Sequence, residues 1–177
     1  GRGSVPRAAQ PTFGELDDRP GMSCVVCVVK PDSRGTIMAT SPDPFARPAI
    51  VPNYLSSRTD ELALLGGTRH VRRIFAAPAL AQHSTGEYLP GPEVQSDADL
   101  VAYARRAGNT LYHPVGTCKM GEDPRAVVDS RLRVCGIDGL RVIDASVMPT
   151  LTTGNTNAPT IMIAEKGAAM IQQDGRE

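Results

Sequence analysis

Tryptophan is absent from the 177 residues, and the other aromatics are three phenylalanines and four tyrosines. An aromatic cage for a quaternary ammonium therefore has few rings to draw on. Excess charge is absent too: Lys plus Arg and Asp plus Glu number 19 each, so no bulk field draws the chain to nucleic acid or an anionic membrane. There is no apolar run of transmembrane length, and residues 1 to 20 lack the apolar centre of a secretory signal, which makes the cytoplasm the default compartment. Cys24, Cys27, Cys118 and Cys135 are too few and too scattered for a disulfide scaffold. Cys24 and Cys27 have C-x-x-C spacing, but their β-branched run, residues 23 to 29, reads as a buried strand on which positions three apart face opposite sides. Packing is the preferred reading, and no metal site is expected.

What is present suits one domain, burying roughly 70% of its unfolded surface on folding. Residues 1 to 21, rich in Gly, Pro, Arg and Asp, read as a weakly ordered leader to a domain over 22 to 177. Strands are predicted at 23 to 30 and 35 to 41, joined as an antiparallel hairpin through Pro31-Asp32-Ser33-Arg34, with a short third strand at Ala49-Ile50-Val51. Ser57 and Asp60 form a capping-box pattern ahead of a helix from 58 to 76, weakened at Gly66-Gly67 and ended or kinked by Pro78. A second capping-box pattern, Ser96 to Asp99, opens a helix to about Arg106 with Leu100, Val101 and Ala104 inward. Leu132–Val134 and Leu140–Ile143 read as strands about the Gly136–Gly139 turn. The fold class is α+β, an antiparallel sheet with helices packed on it.

Two runs carry the chemistry. In Tyr112-His113-Pro114-Val115-Gly116-Thr117-Cys118-Lys119-Met120-Gly121 the proline restricts His113 to extended or turn backbone, in a loop of the kind that holds functional side chains. An imidazole there can serve as a general base or stabilise an alkoxide, or it can be a structural histidine packed beside Tyr112. In Gly154-Asn155-Thr156-Asn157-Ala158-Pro159-Thr160 the proline reads as a first-turn residue of a helix continuing to Ile171. Asn157 can orient a substrate oxygen, cap that helix, or do both; Asn155 can be a simple turn residue. Asp144-Ala145-Ser146 follows a predicted strand end, a common place for ligands and equally a turn.

Taken together, HPVGTCKMG, VVDSRLRVCGIDGLRVIDASVMPT and GNTNAPTIMIAEK, in that order, resemble the C-terminal segment of the glucose-methanol-choline (GMC) oxidoreductases, most of all the choline dehydrogenase branch; PDSRGTI and PAIVPNYLSS extend the likeness upstream. The resemblance implies that His113 is the catalytic histidine and Asn157 its partner. It implies an FAD cofactor contacted by Asp144, Ala145, Asn155, Asn157, Pro159 and Thr160, and a small-molecule alcohol as substrate, its hydride passing to flavin N5. Family members begin with a Rossmann-type FAD domain carrying G-x-G-x-x-G, a pattern missing here. The expected partner is therefore an N-terminal FAD-binding half, from the same longer protein or a separate chain, and the isolated chain is expected to be inactive. The alternative is a non-catalytic remnant or assembly domain that folds alone.

Overall fold

The computed structural model describes residues 20–175. The leader expected at 1 to 21 lies, but for its last two residues, outside the described residues. The described residues divide into two compact units, one taking residues 20–27 together with Ala63–Asn109, the other Val28–Leu62 together with residues 110–175.

The first unit is helical. It holds most of α1 (Arg58–Phe75), the short α2 (Pro78–Ala81) and α3 (Asp97–Ala107). Leu65, Leu100 and Val101 form its buried core, with Val94 packed against them. Of the apolar residues along α1, Leu65 is buried, whereas Leu62 and Ile74 are 53% and 44% exposed. Gly66-Gly67 does not interrupt α1, and a side chain at Gly67 would collide with Val26, whose Cγ1 lies 2.6 Å from the Cβ position. Pro78 starts α2 two residues after α1 has stopped. Arg72 ties the layout together, reaching both Glu87 and the Val94 carbonyl.

The second unit carries the sheet, an antiparallel pair of β1 (Thr36–Met38) and β2 (Ala49–Val51) with Ile37 opposite Ile50. The predicted hairpin is corrected: residues 23 to 30 form no strand, and β1 takes its partner from the following segment instead. Cys24 and Cys27 are accordingly exposed, not buried. β-branched content alone does not make a strand where no neighbour is supplied to pair with it. The strands predicted at Leu132–Val134 and Leu140–Ile143 are reduced to isolated bridges, Val128 with Val134 and Arg133 with Arg141. The turn between them does form, with Gly136 and Gly139 at φ +80° and +73°. The ladder fails because Leu132 sits at φ +64° and the Asp129 carboxylate takes the N–H groups of Arg131 and Arg133, so the backbone is turned where a strand would be extended.

The main core lies in this unit. Val128, Leu132, Val147, Met148 and Ile163 are buried together, and Val115, Met120, Val142, Ile143 and Met170 pack around them. The last helix, α4 (Asn157–Asp174), contributes Ile163 and Gly167 to the interior. Gly167 lets it approach the chain at Ile143, whose Cγ2 is 2.6 Å from where a Cβ would stand. At its C-terminus Asp174 takes Arg131 and Arg141 on its two oxygens. These guanidiniums set positive charge at the negative end of the helix dipole.

Candidate functional site

The loop beginning at His113 is fixed at both ends. Val115, two residues beyond the imidazole, joins the core. Gly116, at φ +84°, makes the bend after it. From there the backbone runs against a 3₁₀ turn at Ala145–Val147: Cys118 N–H donates to the Ser146 carbonyl (3.0 Å) and Met120 N–H to the Val147 carbonyl (2.8 Å). That turn is itself capped by Asp144, whose carboxylate accepts from the N–H (2.7 Å) and the hydroxyl of Ser146. Asp144 is exposed and Ala145 half-buried. Lys119 pairs with Asp123.

The two chemistry-bearing runs meet at one hydrogen bond. His113 Nδ1 lies 3.0 Å from the hydroxyl oxygen of Thr156, the residue immediately before Asn157. His113 is half-buried, while Asn155 and Asn157 are exposed and Pro159 and Thr160 half-buried. Forty-three positions of chain separate the bonded pair, so the contact is made by the fold.

The helix start differs from expectation by one residue. Thr156 occupies the N-cap position and Asn157 is the first helical residue, which corrects the reading of Asn157 as the cap; Pro159 keeps its place in the first turn. Thr156 makes no side-chain cap hydrogen bond. Its carbonyl is claimed twice by Thr160, from the N–H (3.0 Å) and the hydroxyl (2.7 Å). The first turn thus keeps amide groups without a capping side chain, on the positive end of an 18-residue helix.

Sequence reasoning passed over Thr156. The available signal was its rank as an N-cap residue one place before the favoured asparagine, but its bond to His113 is a tertiary contact that no local pattern announces.

A second polar cluster lies upstream. Asp60, 1% exposed, accepts from Asp32 N–H (2.8 Å), Ser33 N–H (3.0 Å) and the Ser33 hydroxyl. The Ser33 oxygen in turn accepts from the N–H groups of Ser56 (3.0 Å) and Ser57 (3.1 Å). Asp60 therefore organises the Pro31–Arg34 loop, and the capping box predicted for Ser57 and Asp60 is corrected: the carboxylate is taken by more distant amides. Burial pushes this carboxyl up, but the Ser33 hydroxyl, the two backbone N–H groups and the Arg34 charge outweigh it and hold the group below the usual range. Asn53, at φ +56°, donates through its side chain to the Arg34 carbonyl (3.0 Å), closing the same loop.

Among the described residues, no cluster of His, Cys, Asp or Glu is placed to hold a metal, and no helix is long and apolar enough to cross a membrane.

An α+β domain that brings a loop histidine onto the N-terminus of a long helix defines the class. Residues 31–164 match the model of the GMC oxidoreductase family, its C-terminal domain, and the chain belongs to that family. It is 50% identical over 151 residues to an alcohol dehydrogenase (acceptor) of Pseudomonas putida, covering 85% of this chain and 27% of that protein. It is 46% identical over 153 residues to the oxygen-dependent choline dehydrogenase of Serratia proteamaculans, covering 86% and 28%. Among solved structures, pyridoxine 4-oxidase from Mesorbium loti superposes with a TM-score of 0.76 at 37% identity over 82% of this chain and 28% of that one. The chain thus spans little more than a quarter of the curated relatives it matches.

Proposed function

We propose that this chain is the substrate-side catalytic part of an FAD-dependent oxidoreductase that oxidises a primary alcohol. His113 takes the hydroxyl proton and Asn157 orients the oxygen from the first turn of α4. The observation that carries this reading is the His113–Thr156 hydrogen bond, which ties the loop imidazole to the residue next to Asn157. An imidazole can accept a proton near neutral pH and return it, and an exposed carboxamide can donate to an alkoxide without changing charge.

The residues present fit one end of a flavin. Amide groups with no capping side chain, at the positive end of α4, suit an electron-rich pyrimidine edge, and no side chain crowds the approach at Gly154 (φ +144°). Asn155, Asn157, Pro159 and Thr160 would line that end. Asp144 and Ala145 would contribute on the ribityl side, with the Asp144 carboxylate oriented by Ser146. FAD, when bound, would supply the hydride acceptor for the carbinol carbon. The nucleotide half has no counterpart in the sequence, so an N-terminal FAD-binding half, joined to this chain or separate from it, completes the cofactor site. Exposed apolar residues on α4, Ile161 at 55% and Met162 at 59%, suit a partner of that kind.

The test is to purify the chain with FAD, alone and with the N-terminal half of a relative such as the Pseudomonas putida alcohol dehydrogenase. Flavin absorbance and dye-coupled oxidation of a panel of primary alcohols, choline included, are then recorded. Flavin and turnover are expected only with the added half. Retention of no flavin under either condition overturns the reading.

A further inference from the structure

Among the described residues, the buried polar side chains are Asp60 and Thr156, the latter 8% exposed. A buried hydroxyl must find a partner, and an N-cap threonine ordinarily finds it in the second or third amide of its own helix. Thr156 does not: its hydroxyl meets His113 Nδ1 at 3.0 Å and makes no cap bond. Its backbone is held meanwhile through the two bonds from Thr160 to its carbonyl. The third helical position is Pro159, which has no N–H to offer, and the Ala158 N–H goes uncapped, so on this clamped backbone the fold gives the hydroxyl to His113 instead.

We propose that Thr156 is the positioning residue of His113: its oxygen accepts from Nδ1–H, fixes the ring, and keeps neutral His113 in the tautomer whose lone pair is on Nε2. This rests on the base reading above, and it adds which nitrogen reacts and what holds the ring. The proton leaves the substrate hydroxyl for Nε2 while the O–H electron pair stays on oxygen. Nδ1 is a donor in the neutral Nδ1–H form and in the imidazolium, so the same bond to Thr156 serves before and after the transfer and nothing need reorganise. Were the hydroxyl to donate instead, Nε2 would carry the hydrogen and could not take a second.

The test reads the tautomer directly. Chain labelled with ¹⁵N-histidine is studied by long-range ¹H–¹⁵N correlation at a pH where His113 is neutral, with His113→Gln assigning the signal. Wild type is expected to show a pyrrole-like Nδ1 and a pyridine-like Nε2. Thr156→Val, which keeps the shape and loses the oxygen, should move the tautomer ratio toward Nε2–H by roughly 2- to 10-fold, the worth of one net hydrogen bond, and Thr156→Ser should restore it. A wild-type ring protonated at Nε2 overturns the proposal, as does a Thr156→Val ratio that does not move. If Thr156→Val does not fold, the wild-type and Thr156→Ser spectra decide. An Nδ1–H ring in a chain whose assembled enzyme turns over normally without His113 would keep this bond and sink the base assignment. An Nε2–H ring with His113-dependent turnover would do the reverse.

Discussion

The starts of α3 and α4 each open on a hydroxyl residue, but the third helical position is Asp99 in one and Pro159, which has no N–H to be capped, in the other. At α3, Ser96 accepts from Asp99 N–H (3.1 Å) and donates to the Asp99 carboxylate (2.6 Å), closing a local box that satisfies the helix end. At α4, Thr156 holds the same position, leaves the first amides without a side-chain acceptor and bonds the imidazole of His113 instead. A cap contributes typically about 1 kcal/mol. Its absence at α4 is a local cost that tertiary contacts offset: Ile163 in the core, Gly167 against Ile143, and the Asp174 pairings at the far end. A helix anchored along its length and at its C-terminus can leave its N-terminus open, and an open N-terminus is what an anionic group or ligand can use.

The largest expected effect breaks the functional side of this contrast. His113→Ala in the assembled enzyme should lower turnover by about 100- to 10,000-fold, the usual range for a positioned acid or base. Dye-coupled alcohol oxidation measures it, and a loss under about tenfold would mean that another group takes the proton.

A third helix start extends the comparison. Ser57 and Asp60 have the spacing of Ser96 and Asp99, yet Asp60 turns to the Pro31–Arg34 loop. Asp60→Ala should destabilise the chain by about 3 kcal/mol in urea unfolding, because the Asp32 and Ser33 amides lose their acceptor. The pH dependence has a definite sign. The folded carboxyl lies below its ordinary value of 3.8, so its stabilisation is fully present above that value and is lost as pH falls through the lower folded pKa. Asp60→Asn should flatten this acid limb of the stability curve.

These starts also show how far the sequence could be read. The Ser96–Asp99 box was legible because both partners lie within one turn, and the helices expected at 58 to 76 and from the first turn at Pro159 to Ile171 were legible from period and punctuation, though not their exact ends. The Ser57–Asp60 box was misread because the competing donors sit 27 and 28 positions away. The strand expected at 23 to 30 failed for a related reason, since pairing depends on a neighbour that composition does not specify. At the candidate site the histidine and the amide run were visible as motifs, but the Thr156 contact that joins them was not, because it spans 43 positions.

Gly167→Ala asks whether the anchoring of α4 is as tight as the open end requires. Helix propensity alone favours alanine by about 1 kcal/mol. The added methyl meets Ile143 Cγ2 at 2.6 Å and Cδ1 at 2.9 Å, and overpacking of that kind costs about 1–3 kcal/mol. A net loss of about 1 kcal/mol is expected in urea unfolding. Combining it with Ile143→Ala should recover the propensity gain, and a double-mutant cycle would isolate the coupling. A stabilised single variant would mean that α4 is free to shift along the core.

Ser96→Ala is the smallest perturbation and the cleanest control. It should lose about 1 kcal/mol, read as a lower urea midpoint at unchanged slope, because Asp99 N–H loses its acceptor at an exposed position where water replaces part of it. Turnover of the assembled enzyme should not change, since the bond lost is local to a helix start that holds none of the candidate site residues. A fall in turnover approaching that of His113→Ala would erase the distinction between a helix start that caps itself and one that serves the site.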